Sequence, residues 1–118
     1  MIKLYGIKNC DTVKKAMAWL AEQGVKYQFH DYKKDGVDSK KLAEFLEKYG
    51  WEKFLNRKGT TWRKLSAEEQ SKITDNKSAL KLMQENPSII KRPIVDFGEK
   101  QLVGFDVKEW GEVFRNVS

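Results

Sequence analysis

The chain is poor in the residues that usually announce a cofactor or a covalent framework. It has one cysteine, Cys10, and one histidine, His30, in 118 residues. A single thiol cannot close an internal disulfide, and one Cys with one His cannot build a cysteine/histidine zinc site; no metal is expected. No stretch approaches the roughly 20 apolar residues that span a bilayer. The start, Met1-Ile2-Lys3-Leu4-Tyr5, lacks the long apolar run and small-residue cleavage site of a secretory signal, so a cytoplasmic location is expected. No run of Lys and Arg is interleaved with aromatics, which sets nucleic acid aside. There is no internal repeat, low-complexity segment or linker. What is present is 40% hydrophobic and 12% aromatic content, enough for the core of one domain. The net charge of +6 reads chiefly as a solvated lysine-rich surface, with an anionic substrate as the sharper reading.

Periodicity gives the element order. Ile2-Lys3-Leu4-Tyr5, closed by Gly6, reads as a strand. Val13, Ala16, Met17 and Leu20 recur at helical spacing from Asp11 to Gln23, and Gly24 stops the helix. Val25, Tyr27 and Phe29 alternate with polar residues as a half-buried strand. A helical middle follows. Asp38 caps a helix with Leu42, Phe45, Leu46 and Tyr49 inside and Gly50 behind it. Trp51, Phe54 and Leu55 add a helical turn, and residues 56–62 read as a loop. Ser66-Ala67-Glu68-Glu69 is a capping box. A further short helix carries Leu80, Leu82 and Met83 and ends before Pro87. Residues 94–97 and 101–105, joined by Gly98-Glu99-Lys100, read as a hairpin. Asp106 caps a last helix with Val107, Trp110, Val113 and Phe114 on one face. The order is β-α-β, a helical insert, then β-β-α.

Cys10 stands between the first strand and the first helix. A helix N-terminus has backbone N–H groups without internal partners and partial positive charge. Both favour thiolate over thiol, so the Cys10 pKa is expected below about 8.5. The same N–H groups can hold an oxyanion beside the sulfur. Lys8 adds a positive charge nearby and Asp11 opposes it. The alternative, a buried structural thiol at a strand-helix corner, fits poorly with polar Asn9, Asp11 and Thr12 around it. A C-x-x-C pair would need cysteine at position 13, where Val13 stands. Redox turnover must therefore use an outside thiol, with glutathione the obvious small candidate. Arg92-Pro93 precedes the hairpin. On spacing alone a trans bond is the expectation, since about 5–6% of X–Pro bonds are cis.

Three segments in order carry a resemblance: Leu4-Tyr5-Gly6-Ile7-Lys8-Asn9-Cys10-Asp11-Thr12, Asn56-Arg57-Lys58-Gly59-Thr60-Thr61, and Pro87-Ser88-Ile89-Ile90-Lys91-Arg92-Pro93-Ile94. Together they resemble the ArsC/Spx family of arsenate reductase-like proteins, and within it the single-cysteine YffB-like branch. The resemblance covers nearly the whole chain. It implies an α/β, thioredoxin-like fold with a mixed four-stranded sheet. The core would comprise residues 1–33 and 88–118, with a helical insert over 34–87, in a single domain of residues 1–118. It implies that Cys10 is the nucleophile and that Arg57 and Arg92 hold the anion, a task suited to the guanidinium fork. It also implies that Pro93 is cis, against the base rate. Lys8, Asn9, Asp11, Thr12 and Pro93 are the expected substrate-binding residues. Two departures stand out. The third arginine of the glutaredoxin-dependent arsenate reductases is matched by Gly104, and their histidine upstream of the nucleophile falls near Gly6. Both weaken arsenate as the substrate and leave a glutathione-linked thiol reductase intact. His30 is read as structural or solvent-facing.

The leading expectation is thus a glutathione-dependent thiol or oxyanion reductase with no bound cofactor. Glutathione is the co-substrate, a small anionic or disulfide compound the substrate, and glutaredoxin a further candidate partner. One alternative is an Spx-like regulator that binds the RNA polymerase α subunit, which Val13 disfavours by removing the second thiol of the redox switch. Another is a glutathione-binding module without turnover.

Overall fold

The computed structural model describes residues 2–117. In chain order the elements are β1 (Ile2–Gly6), α1 (Asp11–Glu22), β2 (Tyr27–Asp31), α2 (Tyr32–Asp35), α3 (Ser39–Tyr49), α4 (Thr60–Lys64), α5 (Ala67–Ser71), α6 (Asn76–Glu85), β3 (Ile94–Asp96), β4 (Gln101–Val103) and α7 (Val107–Val117). Short 3-10 turns occupy Trp51–Lys53 and Pro87–Ile89. The chain divides into two compact units, residues 1–30 with 92–118, and residues 31–91.

The first unit is built on a four-stranded sheet in the order β2-β1-β3-β4. β1 and β3 are antiparallel with Leu4 opposite Val95, and β3 and β4 are antiparallel with Val95 opposite Leu102. Because side chains alternate along a strand, Leu4, Val95 and Leu102 share one face. They join Ala16 and Leu20 of α1 and Trp110 and Phe114 of α7 in a single buried cluster. Trp110 is fully buried, edge-on to Phe105 at 4.8 Å and to Trp19 at 5.9 Å. The Asp106 carboxylate caps α7 by accepting from the amides of Lys108 and Glu109. This mixed sheet with a β-α-β start and a β-β-α end is thioredoxin-like, the arrangement that the resemblance implies.

The second unit is helical. Leu42, Phe45 and Leu46 of α3 are buried, as are Ala79 and Met83 of α6, and the Phe45 and Phe54 rings stack at 6.3 Å. Asp38 caps α3 through the Lys41 amide, and Ser66 with Glu69 forms the capping box read from the sequence. Residues 54–56 lie beside 89–91. Leu55 and Ile90 form an antiparallel bridge, the Asn56 amide donates to the Ile89 carbonyl (2.8 Å), and the Lys91 amide donates to the Phe54 carbonyl (2.7 Å).

Two local expectations need correction. The loop expected over 56–62 ends at Gly59, and α4 begins at Thr60. Thr and Trp are mediocre helix formers, and this short helix is held by its surroundings, Thr61 bonding Ser88 through their hydroxyls at 2.8 Å. The one-turn helix α2 went unread. Its signal is Asp31, whose carboxylate accepts from the amides of Lys33 and Lys34. Among the described residues no helix is long and apolar enough to cross a membrane.

Candidate active site

The site in the first unit starts at the end of β1. A Cβ on Gly6 would sit 2.8 Å from Cγ2 of Val13. Strand and helix therefore approach too closely for any side chain at position 6, which explains the missing histidine there. The chain then turns, with the Cys10 amide donating to the Ile7 carbonyl (3.2 Å). Cys10 is the N-cap of α1, extended at φ −100° and ψ 126°, and its carbonyl accepts the first helical bond from the Lys14 amide (3.0 Å). That conformation presents the sulfur to the open first turn of the helix.

The sheet register supplies the opposite wall. Tyr5 pairs with Ile94, so extending the ladder by two residues sets Arg92 level with Ile7, beside the loop that carries Cys10. The Arg92–Pro93 bond is cis, correcting the base-rate expectation of trans and agreeing with the resemblance. Pro93 is buried, and its carbonyl accepts from the Gly104 amide at 2.8 Å.

Cys10 is half-buried. Burial pushes the thiol pKa up, and this is the largest single influence. It is outweighed by hydrogen bonds to the sulfur from the Val13 amide, the Arg92 side chain and the Thr12 amide, and by the Arg92 charge. The net effect holds the thiol below its ordinary value.

Of the residues expected at the site, Cys10 and Arg92 are brought together, and Thr12 joins them through its backbone. Val13, noted in the sequence only as a missing cysteine, contributes the foremost amide. Lys8, Asn9 and Asp11 are exposed on the turn that carries the sulfur. Arg57 belongs to the second unit. It lies 3.8 Å from Glu52 and 5.4 Å from the centre of the Trp51 ring. It also lines a cleft of about 420 Å³ with Asn56, Lys58 and Lys91. The Asn56 side chain shapes this loop by accepting from the Lys58 amide (3.2 Å), and it lies 2.9 Å from where a Cβ on Gly59 would be. His30 packs its ring on Tyr5 at 5.2 Å. Gly104, at the third-arginine position, has φ +79°, a conformation that strains any L side chain. Among the described residues no three Cys, His, Asp or Glu side chains gather as a metal site.

The model of the ArsC family matches residues 5–113. A solved structure titled YFFB (PA3664) protein superposes with a TM-score of 0.89 at 45% identity, over 95% of this chain and 97% of the other. An arsenate reductase (ArsC) related protein from Brucella melitensis superposes with a TM-score of 0.77 at 47% identity, over 96% and 93% of the two chains. The global transcriptional regulator Spx of Streptococcus agalactiae is 27% identical over 111 residues, 92% of this chain and 80% of the regulator.

Proposed function

Since the chain belongs to the ArsC family, with its arsenate reductase-like thiol chemistry, we propose that it is a glutathione-dependent thiol reductase in which Cys10 is the nucleophile. The observation that carries this reading is the convergence of two helix-end amides and one guanidinium on a single half-buried sulfur. A thiolate so held is ionised at neutral pH without a neighbouring base.

The reaction runs in two exchanges. The Cys10 thiolate attacks the glutathione sulfur of a mixed disulfide, forming Cys10–S–S–glutathione and expelling the substrate as a thiolate, which takes a proton from water. A second glutathione thiolate attacks the glutathione sulfur of that adduct, giving oxidised glutathione and the free Cys10 thiolate. The substrate gains two electrons and two glutathiones lose them. Arg92 stabilises the Cys10 thiolate as the attacking group and again as the leaving group. Arg57 is proposed to hold an anionic group of the substrate or of glutathione, on the match of its segment to the family. Lys8, Asn9, Asp11 and Thr12 line the approach, and Pro93 fixes the chain beside Arg92. An oxyanion such as arsenate would use the same sulfur, but Gly104 leaves it one guanidinium short.

The test is turnover of a glutathionylated peptide by wild type and Cys10→Ser with glutathione and a coupled reductase. Turnover by wild type alone supports the reading. Equal rates for the two proteins dispose of it. The Spx relative favours a second reading, a regulator that binds the RNA polymerase α subunit. Retention on the immobilised α C-terminal domain would support it, and absence of retention at micromolar protein would end it.

A further inference from the structure

The β3/β4 ladder runs from Asp96 opposite Gln101 back to Ile94 opposite Val103. One step further, the Gly104 amide donates to the Pro93 carbonyl at 2.8 Å. The Gly104 carbonyl in turn accepts from the indole Nε1 of Trp110 at 3.0 Å. Trp110 is fully buried in α7 between Phe105 and Trp19. Pro93 is covalently joined to Arg92, and the Arg92 side chain bonds the Cys10 sulfur. A continuous path of bonds thus runs from the core of α7 to the thiol.

The glycine in this path is there for its conformation and not for space. A Cβ at position 104 would meet nothing within 4 Å, yet φ is +79°. That φ lets the backbone leave β4, give its N–H to Pro93 and turn its carbonyl toward the indole. The indole N–H is the part of Trp110 that packing alone does not require.

We propose that Gly104 and Trp110 are positioning residues that hold the Arg92–Pro93 segment so that the guanidinium stays on the Cys10 sulfur. Neither touches the sulfur; they act through Arg92. The inference rests on Cys10 being the reactive thiol of the preceding section. It does not need turnover, because ionisation is read by alkylation, so failure of the reductase assay and failure of this idea are separable. The other charged groups near the sulfur along the chain are Lys8, Asp11 and Lys14, all exposed on its own turn and helix, and none is altered by the variants below.

The experiment is the pH dependence of iodoacetamide alkylation in Trp110→Phe, Arg92→Gln and the double variant, with circular dichroism confirming the fold. Trp110→Phe keeps a buried ring and removes the N–H. Its alkylation midpoint is expected to rise by about 0.5–1 pH unit, roughly a three- to tenfold loss in ionisation constant. In the Arg92→Gln background the same change is expected to add nothing, because the path is already cut. An unshifted midpoint in folded Trp110→Phe overturns the proposal, as does an equal shift in both backgrounds. If Trp110→Phe does not fold, Gly104→Ala and Gly104→Asn decide. Asn tolerates positive φ better than Ala, so Ala is expected to raise the midpoint and Asn to leave it near wild type. Equal midpoints in those two variants overturn the proposal.

Discussion

Replacing Arg92 with glutamine removes the guanidinium from the Cys10 sulfur and keeps a polar side chain in its place. A hydrogen bond to a charged group contributes about 1.5–3 kcal/mol. At about 1.4 kcal/mol per pH unit this corresponds to a rise of roughly 1–2 units in the thiol midpoint. The sulfur is half-buried, so solvent and salt screen part of the charge, and the low end, about one unit, is expected. The amides of Val13 and Thr12 remain in place. The rate at neutral pH is a poor readout of this change. A tenfold loss of thiolate is partly offset by a more nucleophilic sulfur, with a Brønsted slope of about 0.4–0.5, so the rate falls only about three- to fourfold. The assay is therefore the full pH profile of iodoacetamide alkylation at fixed ionic strength, and Arg92→Lys is expected to fall between wild type and Arg92→Gln. A profile for folded Arg92→Gln that superimposes on wild type would refute the role given to Arg92.

Two further outcomes follow from the same geometry. The depressed Cys10 pKa is linked to stability. The folded state favours the thiolate, so its contribution is absent below the folded midpoint, grows as pH rises from there toward the unfolded value of about 8.5, and is complete above it. Urea unfolding of wild type and Cys10→Ser should show a difference that grows with pH over that interval, and a difference that shrinks would contradict the assignment. Gly6→Ala places a methyl group 2.8 Å from Val13 Cγ2, and a valine in a helix has little rotamer freedom to move aside. A loss of about 1–3 kcal/mol is expected, smaller when Val13 is also changed to Ala; an equal loss in both backgrounds would refute that contact.

Much of this fold was legible because the signals are local. The apolar spacing of Val13, Ala16 and Leu20 fixed the buried face of α1, Asp38 and Asp106 announced the caps of α3 and α7, and the Ser66/Glu69 box marked α5. α4 was misread because Thr60-Thr61-Trp62 has no helical pattern of its own and relies on Thr61 bonding Ser88, 27 residues away. The capping box of Asp75 and Ser78 was present in the sequence and went unused. At the site, the helix-end environment of Cys10 followed from position alone. Its pairing with Arg92 did not, because 82 residues separate them and only the β1/β3 register joins them; the resemblance supplied it. The cis state of Arg92–Pro93 likewise ran against the base rate. The path through Gly104 and Trp110 had no sequence signal, since a glycine after a strand reads equally as a turn.

Ionisation of the one thiol is the claim on which the chemistry depends, and the composition makes it directly measurable. With a single cysteine in the chain, the ultraviolet absorbance of thiolate, taken as wild type minus Cys10→Ser across a pH titration, belongs to Cys10 alone. A midpoint clearly below about 8.5, with most of the thiolate present at neutral pH, is the expected result. A midpoint at or above that value in the folded protein would contradict it.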